Sequence, residues 1–193
     1  MSTRTALILL FLFACAAPVA AQRAESVYTD LDRAKCRLVE YEHEGYSWTR
    51  ECRGVAGYKL LHLQGDERES ITVVGPDGRP HPLEFWSTVS PAFSSVGAKA
   101  EWRVRRRGDR VEPFALIVRL NANENPVEYQ KITSYLVVAR LAPGKVCVTD
   151  RIAPGPSANE QARQSADDSA AKPCLRPIGE EEPGKAVDRS SRQ

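Results

Sequence analysis

The side chains that could do chemistry in this 193-residue chain are three histidines, five cysteines and one crowd of arginines. Histidine changes charge nearest to neutral pH, so each is a candidate general base. His43 lies between Glu42 and Glu44. Those carboxylates would tune a base, although a solvated hairpin loop explains the same context. His62 alternates with Leu61 and Leu63, which reads as a sheet residue, solvent-facing or hydrogen-bonded. His81 stands between two prolines and reads as a turn residue. No Cys-x-x-Cys is present, and no histidine lies three to five residues from another histidine or a cysteine, so no metal and no cofactor are expected. Gly-x-Ser-x-Gly, His-Glu-x-x-His, P-loop and dinucleotide patterns are absent as well. No residue is assigned a catalytic role.

The arginines are the one concentrated feature. Arg103, Arg105, Arg106, Arg107 and Arg110 crowd a predicted hairpin, with Lys99 close by. Such a cluster suits an anionic partner, either an envelope component or an acidic protein. It equally suits a solvated outer face that keeps a strand from pairing at its edge. The whole chain carries 27 Lys and Arg against 25 Asp and Glu, a net charge of +2. That balance provides no broad field for nucleic acid, and none is expected as a partner.

The cysteines are read through the compartment. Arg4 precedes the apolar run Ala6–Phe13, and small residues follow up to Ala21. This is the pattern of a secretory signal over 1–21, cut after Ala21 with Val19 and Ala21 in the small-residue positions. The run is far shorter than the roughly 18–20 residues of a membrane-spanning helix. No other run is long enough, so no transmembrane helix is expected in the mature chain. Localisation is thus expected to be periplasmic or secreted. A rival ending is lipid attachment at Cys15 within Leu12-Phe-Ala-Cys15, where Phe13 fits poorly. Four cysteines then remain, and an even number in an exported chain favours disulfides. Of the three possible pairings, Cys36–Cys52 with Cys147–Cys174 closes the two shortest loops.

The elements that must position these groups are mostly strands. Hydrophobic residues make up 42% of the chain, with 13 Pro and 12 Gly as punctuation, which fits one globular domain rich in turns. Strands are expected at 36–41, 46–52, 58–63, 70–74, 101–105, 114–120, 132–141 and 146–149, from period-two alternation or short apolar runs. Residues 26–36 suggest a turn or short helix capped by Thr29 or Asp30. Residues 157–172 are alanine-rich, carry no β-branched residue and begin with Ser157 and Glu160 at capping-box spacing, so a helix is expected there, ended by Pro173. The fold class is α+β, mainly antiparallel β with about seven to nine strands, one C-terminal helix and two disulfides. The domain spans 22–176, and a disordered tail is expected over 177–193, where few apolar groups remain to offset ordering entropy.

Three stretches carry a resemblance: Ser26–Asp32 with Cys36, then Tyr135–Leu141 leading to Val146-Cys-Val148, then Ala158–Asp167. Together they resemble a group of uncharacterised exported proteins of alphaproteobacteria. The resemblance implies periplasmic placement and transfers no site residue. The expected role is a non-catalytic binding or interaction module of the cell envelope. The alternative is a periplasmic hydrolase or a lipid-anchored envelope assembly factor. An enzyme would show a cleft with converging polar groups and a perturbed acid or base. A binding module would show an exposed aromatic face or a basic patch. Trp48, Trp86 and Trp102 are the aromatics to place, each expected in the core or at its rim.

Overall fold

The computed structural model describes residues 23–180 apart from 45, 126 and 129. The expected signal segment, Cys15 and residues 181–193 lie outside the described residues. Ten strands form one antiparallel-dominated sheet: β1 (Glu25–Asp30), β2 (Arg37–Glu42), β3 (Ser47–Arg53), β4 (Lys59–Gly65), β5 (Arg68–Val74), β6 (Pro80–Pro82), β7 (Ser94–Arg107), β8 (Arg110–Ala122), β9 (Thr133–Ala142) and β10 (Lys145–Ile152). A four-residue helix α1 (Phe85–Thr88) precedes β7, and α2 (Ala158–Asp167) follows β10. The sheet order is β10-β9-β8-β7-β5-β4-β3-β2, with β1 on β7 and β6 on β5. Only one parallel pair, Arg68 with Ser94, joins the β2–β5 half to the β7–β10 half.

Alternation along the strands explains how the halves close. Cys52, Leu60, Ile71 and Val73 of the first half meet Trp102, Val104, Leu116, Val118, Leu120 and Val137 of the second in one core. The opposite face of β8 and β9 carries Ala115, Ile117, Leu136 and Val138, and these pack against Ala162 and Ala166 of α2. The middles of β8 and β9 are therefore buried on both faces, which is why Phe114–Val118 and Tyr135–Ala139 are apolar at every position.

Both expected disulfides are present, Cys36–Cys52 and Cys147–Cys174, with Cα separations of 4.4 and 5.7 Å. Arg140 is buried beside the second. Its guanidinium donates to the Lys145 and Lys172 carbonyls and lies 3.4 Å from both sulfurs, so strand and helix exit are held around one cation.

Several expectations about local structure need correction. Residues 25–30 form β1 rather than a turn or capped helix, because β7 offers them a complete antiparallel partner from Lys99 to Val104. Thr29 caps nothing; its hydroxyl accepts from the Trp102 indole N–H at 2.9 Å. Ser157 makes no capping hydrogen bond to the backbone, and its oxygen accepts from the Gln161 amide instead. Most of the expected tail, 177–193, lies outside the described residues; among those described, the Ile178 N–H donates to the Ser87 carbonyl at 2.7 Å.

With so small an apolar face, α2 depends on charge to stay docked. Arg103 donates to both carboxylate oxygens of Asp167 at 2.8 Å, and Lys172 donates to Asp150 and Ser165 at 2.8 Å. Asp167→Ala should therefore cost about 2–3 kcal/mol, because it strands a nearly buried guanidinium. Urea unfolding at neutral pH measures this; a loss under about 0.5 kcal/mol would show that the pair does not hold the helix.

Candidate functional site

The arginine hairpin is only partly open, with Arg106, Arg107 and Arg110 exposed and Arg103 buried. Arg103 is buried under α2 against Asp167. The Arg105 guanidinium lies 3.9 Å from the centroid of the Phe114 ring. Arg106 and Arg107 pair with Glu25 and Glu112 at 2.8 and 3.2 Å. Arg110 stays exposed at the turn, where it faces Arg107 in register. Carboxylates from β1 and β8 were too distant or too inconspicuous in sequence to be matched to these cations.

The histidines do not converge on a cleft. His62 is buried, with Nε2 3.0 Å from Glu69 Oε2, and the same oxygen accepts from the Val96 N–H at 2.6 Å. This carboxylate thus ties β4, β5 and β7 together. The His62 ring meets Trp48 edge-on with centroids 4.9 Å apart. His81 lies on β6, opposite Val73, rather than in a turn. His43 remains in the β2–β3 connection, beside the rings of Tyr41 and Tyr46. Among the described residues no cluster of three metal-ligating side chains occurs. No helix among them is long and apolar enough to cross a membrane.

What the molecule does leave open is aromatic. A groove of about 610 Å³ is lined by Tyr41, Tyr46, Trp48, Gln64, Asp66, Glu67 and Phe93. A second hollow of about 400 Å³ shares Trp48, Gln64 and Asp66 and extends to Leu63, Arg68 and Trp86. Tyr46 is 73% exposed, Tyr41 56% and Phe93 53%. Sheet register builds this surface: Tyr41 stands opposite Trp48, and Trp48 opposite Gln64, in one row across β2, β3 and β4. The β4–β5 hairpin supplies the carboxylates. Asp66 and Glu67 have φ of 52° and 54°, the left-handed pair that a two-residue hairpin of right-handed twist requires. Tyr46 has φ 49°. Of the five non-glycine residues with positive φ among those described, three line this groove. That conformation is costly for a bulky side chain and concentrates at functional surfaces.

Trp48 is also the site of stacked cations. The guanidinium carbons of Arg33 and Arg50 lie 5.4 and 5.7 Å from its ring centroid. The signal for this surface was present in sequence as Tyr41, Tyr46 and Trp48 around an acidic turn. In sequence these residues read only as two strands and a hairpin, since alternation does not say which face stays uncovered.

A third hollow of about 310 Å³ lies between β7 and the first turn of α2, beside Tyr28, Lys99, Glu101, Arg119 and Asn159. Its charges are already engaged: Arg163 and Ser26 donate to Glu101 at 2.6 and 2.5 Å, and Arg119 donates to Ser134 at 2.8 Å. Burial pushes the Glu101 carboxyl up, but the hydrogen bonds from Arg163 and Ser26 outweigh it and hold the group below its ordinary 4.5. A depressed carboxyl adds stability that is complete above its unfolded value and is lost as pH falls through the folded one. Glu101→Gln should therefore destabilise at pH 7, and its deficit against wild type should shrink below about pH 4.5. A deficit that stays constant from neutral to acid in parallel denaturation curves would contradict this role.

No protein-family model, curated protein or solved structure matches the chain.

Proposed function

We propose that the protein is an exported, non-catalytic binding module whose ligand face is the aromatic groove at the β2–β3 and β4–β5 turns. The observation that carries this reading is the set of exposed rings, Tyr41, Tyr46 and Phe93, around a groove of which three lining residues, Tyr46, Asp66 and Glu67, have positive φ. Aromatic side chains supply large, rigid contact area at low entropic cost, which is why they dominate binding surfaces. Two further observations support binding over catalysis. The buried acid–histidine contact, Glu69 with His62, is spent on joining strands. The arginine hairpin is compensated by Asp167, Glu25 and Glu112, which weakens the case for an anionic partner there. Export is supported by the leader pattern in the sequence and by two disulfides, which persist in oxidising compartments.

The test is retention of envelope components on the immobilised protein. Tyr41→Ala/Tyr46→Ala/Phe93→Ala should lose the retained species, while Arg105→Glu/Arg107→Glu should keep them. The reverse pattern would move the binding face to the arginine hairpin.

A further inference from the structure

The groove carries one carboxylate that no ion pair engages. Asp66 pairs with Arg68, but Glu67 has no ion-pair partner among the described residues, and Glu42, exposed at the end of β2, accepts only from the Ser47 hydroxyl. The other cations close to it, Arg33 and Arg50, are stacked on Trp48. Ring faces beside carboxylates take a guanidinium or an ammonium, since the ring quadrupole and the carboxylate charge act in the same direction.

The groove also adjoins a free sheet edge. β2 ends the strand order, and no described strand pairs with its outer side. Every residue of β2 is exposed, including Leu38, Val39 and Tyr41. An apolar edge is a template for another extended segment. The bulge between Leu38 and Glu40 interrupts the regular register, so the usable edge is the short stretch around Tyr41. A strand added there would set alternate side chains toward one face, which is the spacing a groove floored by the Tyr41–Trp48 row can read.

We infer that the groove and the β2 edge together bind an extended, arginine- or lysine-bearing segment of a partner polypeptide, which adds as a strand beside β2 and seats a cationic side chain among the rings. This rests on the groove being the ligand face and names the ligand class. The test is fluorescence anisotropy at low salt with a labelled hexapeptide of alternating arginine and valine. Saturable binding is expected. It should weaken at least tenfold when glutamate replaces arginine, and again when alternate peptide amides are N-methylated. Tyr41→Ala/Tyr46→Ala and Asp66→Asn/Glu67→Gln should each weaken it at least tenfold, with circular dichroism confirming the fold. Absence of binding by the arginine peptide overturns the inference. Binding of a β-1,4-linked N-acetylglucosamine tetramer instead, lost in the tyrosine variant, overturns the ligand class and leaves the groove as the ligand face. Arginine-peptide binding that survives both double variants overturns the groove and the inference together.

Discussion

Trp102→Ala is expected to remove about 3–5 kcal/mol of stability, a large part of the roughly 5–15 kcal/mol a domain has to lose. Trp102 is fully buried where the two halves of the sheet meet. Its ring packs 5.7 Å from that of Tyr58, and the backbone at Gly54 comes so close that an added Cβ would sit 2.9 Å from the indole. Neighbours this tight cannot collapse into the space of a deleted indole, so a cavity remains. The substitution also removes the donor to Thr29, which links β1 to β7. Trp102→Phe should cost less, since most of the volume stays and only the indole hydrogen bond is lost. Urea denaturation of both variants measures this. A loss under about 1.5 kcal/mol for the alanine variant would mean that the halves are not held through this residue.

Removing the Cys147–Cys174 bridge should cost about 3.5 kcal/mol by the chain-entropy model, for a separation of 27 residues. The shorter Cys36–Cys52 link, with a separation of 16, should cost about 3 kcal/mol. The two losses should differ in place as well as size. α2 buries only Ala162, Ser165 and Ala166, so without Cys174 its amides should exchange with solvent well before those of β8 and β9. Without Cys52, the fully exposed β2 should open first, and with it one wall of the groove. Hydrogen exchange on Cys147→Ala/Cys174→Ala and Cys36→Ala/Cys52→Ala separates these patterns. Uniform loss of protection in both would show that the links stabilise the whole body and neither element in particular.

The strands were legible where their pattern was local. β4 and β5 are legible as two apolar runs, although the polar stretch Gln64–Glu69 between them hides that both strands continue to a two-residue turn at Asp66-Glu67, and β8 and β9 are legible from the apolar runs Phe114–Val118 and Tyr135–Ala139 that burial on both faces requires. β1 is not legible locally because its partners lie 69 to 79 residues away, while the cap signals at Thr29 and Asp30 suggest another structure. β7 was read as 101–105 but runs from Ser94 to Arg107, since Gly97 and its neighbours enter the sheet through a bulge opposite β8. The disulfide pairing followed from spacing alone. The candidate site was hardly legible. Charge crowding draws attention to Arg103–Arg110, yet Asp167 and Glu25 arrive from distant parts of the chain, and Glu112 from the return strand of the same hairpin, to meet those arginines. The groove depends on Phe93 meeting the β2–β3 turn, a contact across more than 40 residues that no local pattern encodes.

Where a partner touches the folded protein is the question with the greatest consequence. A photo-crosslinking phenylalanine analogue placed at Tyr46 or at Arg107, in the native host, reports it without knowledge of the ligand. The expected result is a covalent adduct from position 46 and none from 107. An adduct from 107 with none from 46 would contradict the assignment of the ligand face.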